Sequence, residues 1–340
     1  MKKKIGLFTT LFSLFIILLC TSCNQNRLDV DISEIKVELE VLRMEEDIFE
    51  NKLNTPAEFT KKYGTFVNDY SMGILGFTGN DSMAYEQLMM YKTDQNVLKI
   101  NKAVQDQFGD FKPQKDELTK AYQYFKFYFP NIKIPKIITF IGFRDGFSLY
   151  TNPVGEGYIG IATDMHLGKD FKPYEFAGLE QFWRKTCIPQ TIATNHMMAQ
   201  ANDLFISSNK SETFLDEIIY FGKLLYFLDA TLPEIEDHIK IGLTKEEFEW
   251  CKQQEHDIWT YIVREKLLYD TDKKKYSKLM DEGPKTVLEG VPEGAPAKLG
   301  RYIGWMAVRQ LMTENEDISL PDLMKNSDAK GLLQQSGYKP

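Results

Sequence analysis

The chain has 340 residues, of which 43% are hydrophobic and 13% aromatic. It can therefore bury a substantial core, and disorder beyond its ends is not expected. Its formal net charge is −8, from 41 Lys and Arg against 49 Asp and Glu, and with no basic stripe this argues against nucleic acid as the principal partner.

The first segment reads as an address. Lys2, Lys3 and Lys4 form a positive region, and Ile5 to Leu19 an apolar run too short and wrongly flanked for a stable span. It ends in Leu19-Cys-Thr-Ser-Cys23, with small residues just before Cys23. That pattern resembles a bacterial lipobox, with Cys20 standing where leucine is more usual. It predicts a lipoprotein signal peptide over 1–22 and a lipid on Cys23, against an ordinary cleaved signal or an N-terminal anchor helix. Without residues 1–22 the chain keeps 38 Lys and Arg (41 less Lys2, Lys3 and Lys4) against 49 acids, or −11. Acyl chains anchor a protein to the bilayer without spanning it, and no second run is long enough to span. Residues 23–34 are expected to be a tether and 35–340 a single domain.

Ile35, Val37, Leu39 and Val41 alternate with charged residues and predict a half-buried strand. Thr55-Pro-Ala-Glu58 is a capping box with proline at the first helical position. Helices are predicted over 81–91, 94–108 and 115–129. Lys136 to Ile141 and Tyr158 to Ala162 are short apolar runs that predict buried strands, separated by a turning segment rich in glycine. After a linker, residues 188–203 have helical spacing through Ile192, His196 and Ala199. Residues 211–232 are apolar on nearly every side, which predicts a core helix stopped by Pro233. Thr244-Lys-Glu-Glu247 opens a helix predicted to reach about Leu268. A helix through Leu299, Ile303, Met306 and Gln310 places Gly300 and Gly304 on one side, where a neighbouring helix can approach closely. The fold class expected is α+β, mostly helical, with a small antiparallel-containing sheet packed on helices.

Chemistry is sparsely marked. The histidines are His166, His196, His238 and His256, and none has a second histidine at helical i, i+4 spacing. His196 alone on a core-facing helix reads as a hydrogen-bonded structural residue, so no metal and no catalytic residue is assigned. An irregular site assembled from Asp164, His166, His196 and His256 is the alternative. Glu255 and Asp257 flank His256, but neighbours on a helix point apart, so a solvated face is the simpler reading. The carboxylate runs at 45–47 and 314–317 read as solvated faces. Cys187 and Cys251 read as two isolated buried thiols, with a disulfide as the alternative. Apart from the lipid on Cys23, no cofactor is expected.

Several blocks carry a family resemblance: Phe140-Ile-Gly142; Asp164-Met-His-Leu-Gly168; Ile219-Tyr-Phe-Gly-Lys-Leu-Leu-Tyr226 with Leu232-Pro233; Pro296 through Gly300-Arg-Tyr-Ile-Gly-Trp305 with Val308-Arg309; and Ser336-Gly-Tyr-Lys-Pro340. Together they resemble the gliding-motility lipoprotein GldB family of Bacteroidota, over nearly all of the chain after Cys23. His166 stands where such proteins often have tyrosine. That family is in turn similar to predicted zinc peptidases with His-Glu-x-x-His on a central helix and a glutamate ligand downstream. Here the central helix keeps only His196, and the downstream stretch reads Phe221-Gly-Lys223. The resemblance thus implies a zincin-like shell that binds rather than cuts. It implies a non-enzymatic envelope lipoprotein, anchored in the bilayer and facing the periplasm, that serves gliding and its associated secretion proteins by contact. The alternative is a cryptic metal-dependent hydrolase.

Overall fold

The computed structural model describes residues 27–340, and the signal peptide expected over 1–22 and Cys23 lie outside them. Its sheet has four strands: β1 (Val41–Arg43), β2 (Lys136–Phe140), β3 (Val154–Gly155) and β4 (Tyr158–Ala162), in the order β1-β2-β4-β3. β2 pairs in parallel with both β1 and β4, in register Val41 to Ile137 and Ile137 to Ile159. β3 is antiparallel to β4, with Gly155 opposite Tyr158. A parallel centre covered on both faces needs apolar side chains at every position, and every residue of β4 is buried. That is why β4 appears in the sequence as an apolar run, and β2 as one interrupted only by Thr139 after the exposed Lys136.

β1 corrects the expectation of a strand over 35–41. Burial does alternate there as the pattern predicts, with Leu39 in the core. Only Val41–Arg43 joins the sheet, because side chains from a helix take up part of the earlier backbone. The Gln123 amide donates to Ile35 O at 2.7 Å.

Four helices frame the interior: α1 (Lys112–Tyr128), α2 (Ile192–Phe205), α3 (Phe214–Thr231) and α4 (Leu299–Glu314). α3 begins at a complete capping box, in which Thr213 and Asp216 each accept the other's backbone N–H. It is buried almost throughout, as its all-round apolar sequence requires. α3 and α4 meet at two glycines. A methyl group added to Gly304 would lie 1.8 Å from Ile218 O, and one added to Gly222 would lie 2.3 Å from Gly304 O. α1 and α2 both pack on α3, and α2 also touches β4. The architecture is α+β and mostly helical, with a small mixed sheet packed on helices.

Two other expectations need correction. The helix opening at Thr244 has its capping box but breaks at Gln254, giving Lys245–Gln253 and Glu255–Arg264. The linker before α2 contains short helices at Lys172–Phe176 and Gln181–Arg184. There Tyr174 Oη donates to Asp164 O and accepts from Leu167 N, which fixes the segment after β4. By its internal contacts the chain divides after Asp31, and Ile32–Pro340 forms a compact unit.

Candidate functional site

A cavity of about 420 Å³ opens beside α2. Asn195, Met198, Ala199 and Asn202 of α2 line it at helical spacing, with Phe221 and Leu224 of α3. Lys298 and Arg301, where α4 begins, also line it, together with Glu282. Asn195 and Ala199 stand at i and i+4, the spacing at which a metal-binding helix presents two histidines. Neither is a zinc ligand.

His196 is not part of the lining. It is fully buried, and its Nε2 lies 2.8 Å from Tyr122 Oη on α1. Tyr122 Oη in turn lies 3.2 Å from Gln200 Oε1. Burial pushes the His196 pKa down to about 3, so the ring is neutral at pH 7. It acts as a polar pin between α1 and α2.

His166 does line the cavity. Its Nδ1 lies 3.1 Å from Ile188 O and 3.1 Å from Thr191 Oγ1, while its buried Nε2 has no partner. Burial lowers its pKa to about 4, against the Ile188 carbonyl. A carbonyl oxygen only accepts, so Nδ1 carries the proton and Nε2 offers a lone pair. His256 is exposed, with Nδ1 2.7 Å from Pro340 O. The three histidines are thus engaged separately. Among the described residues no group of three His, Cys, Asp or Glu side chains is placed to hold a metal ion.

Asp164 is fully buried and accepts backbone N–H from Gly142 at 3.1 Å and Phe143 at 2.8 Å. Burial raises its pKa to about 7, opposed by those two donors. Glu255 accepts from Tyr302 Oη and Tyr338 Oη, both at 2.7 Å, and so ties the C-terminal end to α4. Cys187 and Cys251 are free and buried, and burial pushes both thiols up to about 12.

The run at 45–47 is not a solvated face. Glu45 is fully buried, accepting from Thr139 Oγ1 and from Arg43 Nε at 2.5 Å. Asp47 is buried and accepts from Tyr63 Oη and Lys62. Arg43 is two residues from Glu45, but the other partners of these acids stand 15 to 94 residues away, and no local pattern announces those.

The sequence also gave no reason to single out the charges at the cavity. The Lys298 ammonium donates to Ile241 O at 3.0 Å and Gly242 O at 3.3 Å, and lies 2.7 Å from Glu282. Burial lowers its pKa to about 8, against the pull of Glu282. Arg301 stacks its guanidinium on Phe221, 4.3 Å from the ring centre. Nearby, Asp229 binds Arg309 through both oxygens at 2.7 Å, Trp305 Nε1 at 2.8 Å and Lys240 at 2.9 Å. Arg309 reaches Asp237 as well, so two cations meet two carboxylates, with Lys240 and Asp229 buried and Arg309 and Asp237 half-buried.

The blocks singled out in the sequence meet one another in space. Asp164 binds the backbone at Gly142 and Phe143, Gly222 abuts Gly304, and Tyr338 reaches Glu255 beside Tyr302. Lys223, in the stretch compared above with the peptidases' glutamate ligand on resemblance alone, bonds Ser208 Oγ at 2.8 Å and Asn326 O at 2.7 Å. No curated protein and no solved structure matches the chain, so the zincin-like shell is carried by the resemblance alone. A family model described as gliding motility protein GldB matches residues 25–340, and the chain belongs to that family.

Proposed function

We propose that the protein is a lipoprotein of the cell envelope that supports gliding motility by contact rather than by catalysis. Acyl chains on Cys23 hold it to the bilayer, facing the periplasm, beside the other gliding and secretion proteins it serves. The observation that carries the reading is the cavity face of α2, where Asn195 and Ala199 stand at the spacing of a metal-binding pair. His196, the one histidine on that helix, is bound to Tyr122. A hydrolytic zinc site needs several N, S or O ligands converging on one point. Membership of the family supports the link to motility. The anchor rests on the sequence before and at Cys23, and no helix among the described residues is long and apolar enough to cross a membrane.

Two experiments test the reading. An alkynyl fatty acid should label the wild type in cells and not Cys23→Ala, and equal labelling would remove the anchor. Deleting the gene should abolish colony spreading, and a copy carrying Asn195→Ala should restore it. Normal accumulation without spreading, with about one zinc bound per chain, would favour the metal-dependent hydrolase instead.

A further inference from the structure

The charges around the cavity do not balance. Asp229 and Asp237 match Lys240 and Arg309, but Glu282 alone faces both Lys298 and Arg301. Lys298 takes the closer position, 2.7 Å from Glu282, and uses its remaining donors on two carbonyls. Arg301 lies 3.5 Å from the same carboxylate, and its buried Nε has no partner. The other carboxylates whose charge reaches Arg301 are Glu217, which Lys273 holds at 2.8 Å, and exposed Asp281. One positive charge with free donors therefore faces the cavity, and it is Arg301.

A second, independent feature belongs to His166. The residue is buried, lines the same cavity and leaves Nε2 without a partner. With the proton held on Nδ1, this atom is an acceptor and calls for a hydroxyl or N–H donor. His166 and Arg301 both line the cavity, and an unpartnered acceptor at its wall together with a guanidinium asks for a ligand with an acid group and at least one hydroxyl. The side-chain amides of Asn195 and Asn202 can take further hydroxyls, and Trp183 gives an aromatic surface. A volume of about 420 Å³ lies within the usual range for small-molecule pockets.

We propose that the cavity binds a small hydroxylated organic acid of about monosaccharide size, with its acid group on Arg301 and a hydroxyl on His166 Nε2. The site is independent of how the protein serves motility, since it requires only the cavity and these two side chains.

Calorimetry on the full chain in detergent tests this, with glucuronate, galacturonate, gluconate and glucose 6-phosphate as probes and with glucose and acetate as controls. At least one hydroxylated acid should bind saturably, and neither glucose nor acetate should match it at the same concentration. Arg301→Gln should weaken that binding tenfold or more. Because Arg301 also packs on Phe221, Ala199→Phe provides a second variant that fills the cavity from a half-buried position and removes no charge. It should abolish binding while the unfolding temperature holds. Three results would each overturn the proposal: no hydroxylated acid binding at millimolar concentration, acetate binding as well as the best probe, or undiminished binding in folded Ala199→Phe.

Discussion

Tyr122 and His196 meet between α1 and α2, 2.8 Å apart and both out of water. Replacing Tyr122 with Phe keeps the ring but strands the polar atoms of His196 and Gln200. We expect a loss of about 1–3 kcal/mol in urea unfolding, and no loss would mean that water reaches the pair. The histidine also makes a prediction about acid. Its folded pKa of about 3 lies below the ordinary value of 6.5, so between them the folded chain binds fewer protons than the unfolded one. Its contribution to stability is therefore lost as pH falls from 6.5 toward 3, by up to about 1.4 kcal/mol per pH unit. His166 acts in the same direction. Asp164, raised to about 7, acts oppositely and favours the folded chain at low pH, an effect lost as pH rises from about 4 through 7. His196→Gln should thus narrow the stability difference between pH 7 and pH 5 by up to about 2 kcal/mol. An unchanged difference would show that the ring protonates freely in the folded chain.

α3 and α4 pack backbone to backbone through Gly222 and Gly304, an approach that no larger residue permits. In an exposed helix, Gly→Ala stabilises by about 1 kcal/mol. Here a methyl group at Gly304 would sit 1.8 Å from a carbonyl oxygen, and main chain cannot swing aside as a side chain can. Gly304→Ala should therefore cost roughly 1–3 kcal/mol, and Gly304→Leu more. Gly283, whose added methyl meets nothing within 4 Å, provides the control. Thermal unfolding of the full chain in detergent separates the two, and equal midpoints would mean that the helices part easily. The same contact places Phe221 and Arg301 against each other at the cavity, so the element that sets the packing also positions the candidate site.

The C-terminal end closes the molecule against distant chain. Tyr338 donates to Glu255, its ring lies edge-on to Trp259 at 5.3 Å, and Pro340 O meets His256. Tyr338→Phe keeps the ring contact and loses only the hydroxyl bonded to a carboxylate, so it should cost about 1.5–3 kcal/mol. Tyr338→Ala also forfeits burial of the ring and should cost more, with faster proteolysis of the helix Ala329–Ser336. If both variants unfold with the wild type, this end is an appendage and does not close the core.

The sequence by itself determined what local rules govern. β2 and β4 were legible because a buried parallel strand is mostly apolar along its length, and α3 because a core helix is apolar all round. The Thr244 capping box and the close approach at Gly304 were legible because they depend on residue types at short spacing. The resemblance that named the family also rested on such local blocks. Tertiary structure alone decided which residues face the cavity and which are fixed elsewhere. His196 and Ala199 lie on one helix, yet one is bound to Tyr122 and the other lines the cavity. Glu45 looked solvated, but its partner Thr139 stands 94 residues away. Arg301 carries an unmatched charge only because Lys298 takes Glu282. Charge balance and polar pairing are sums over neighbours in space, and the fold brings those neighbours from segments that share no local pattern.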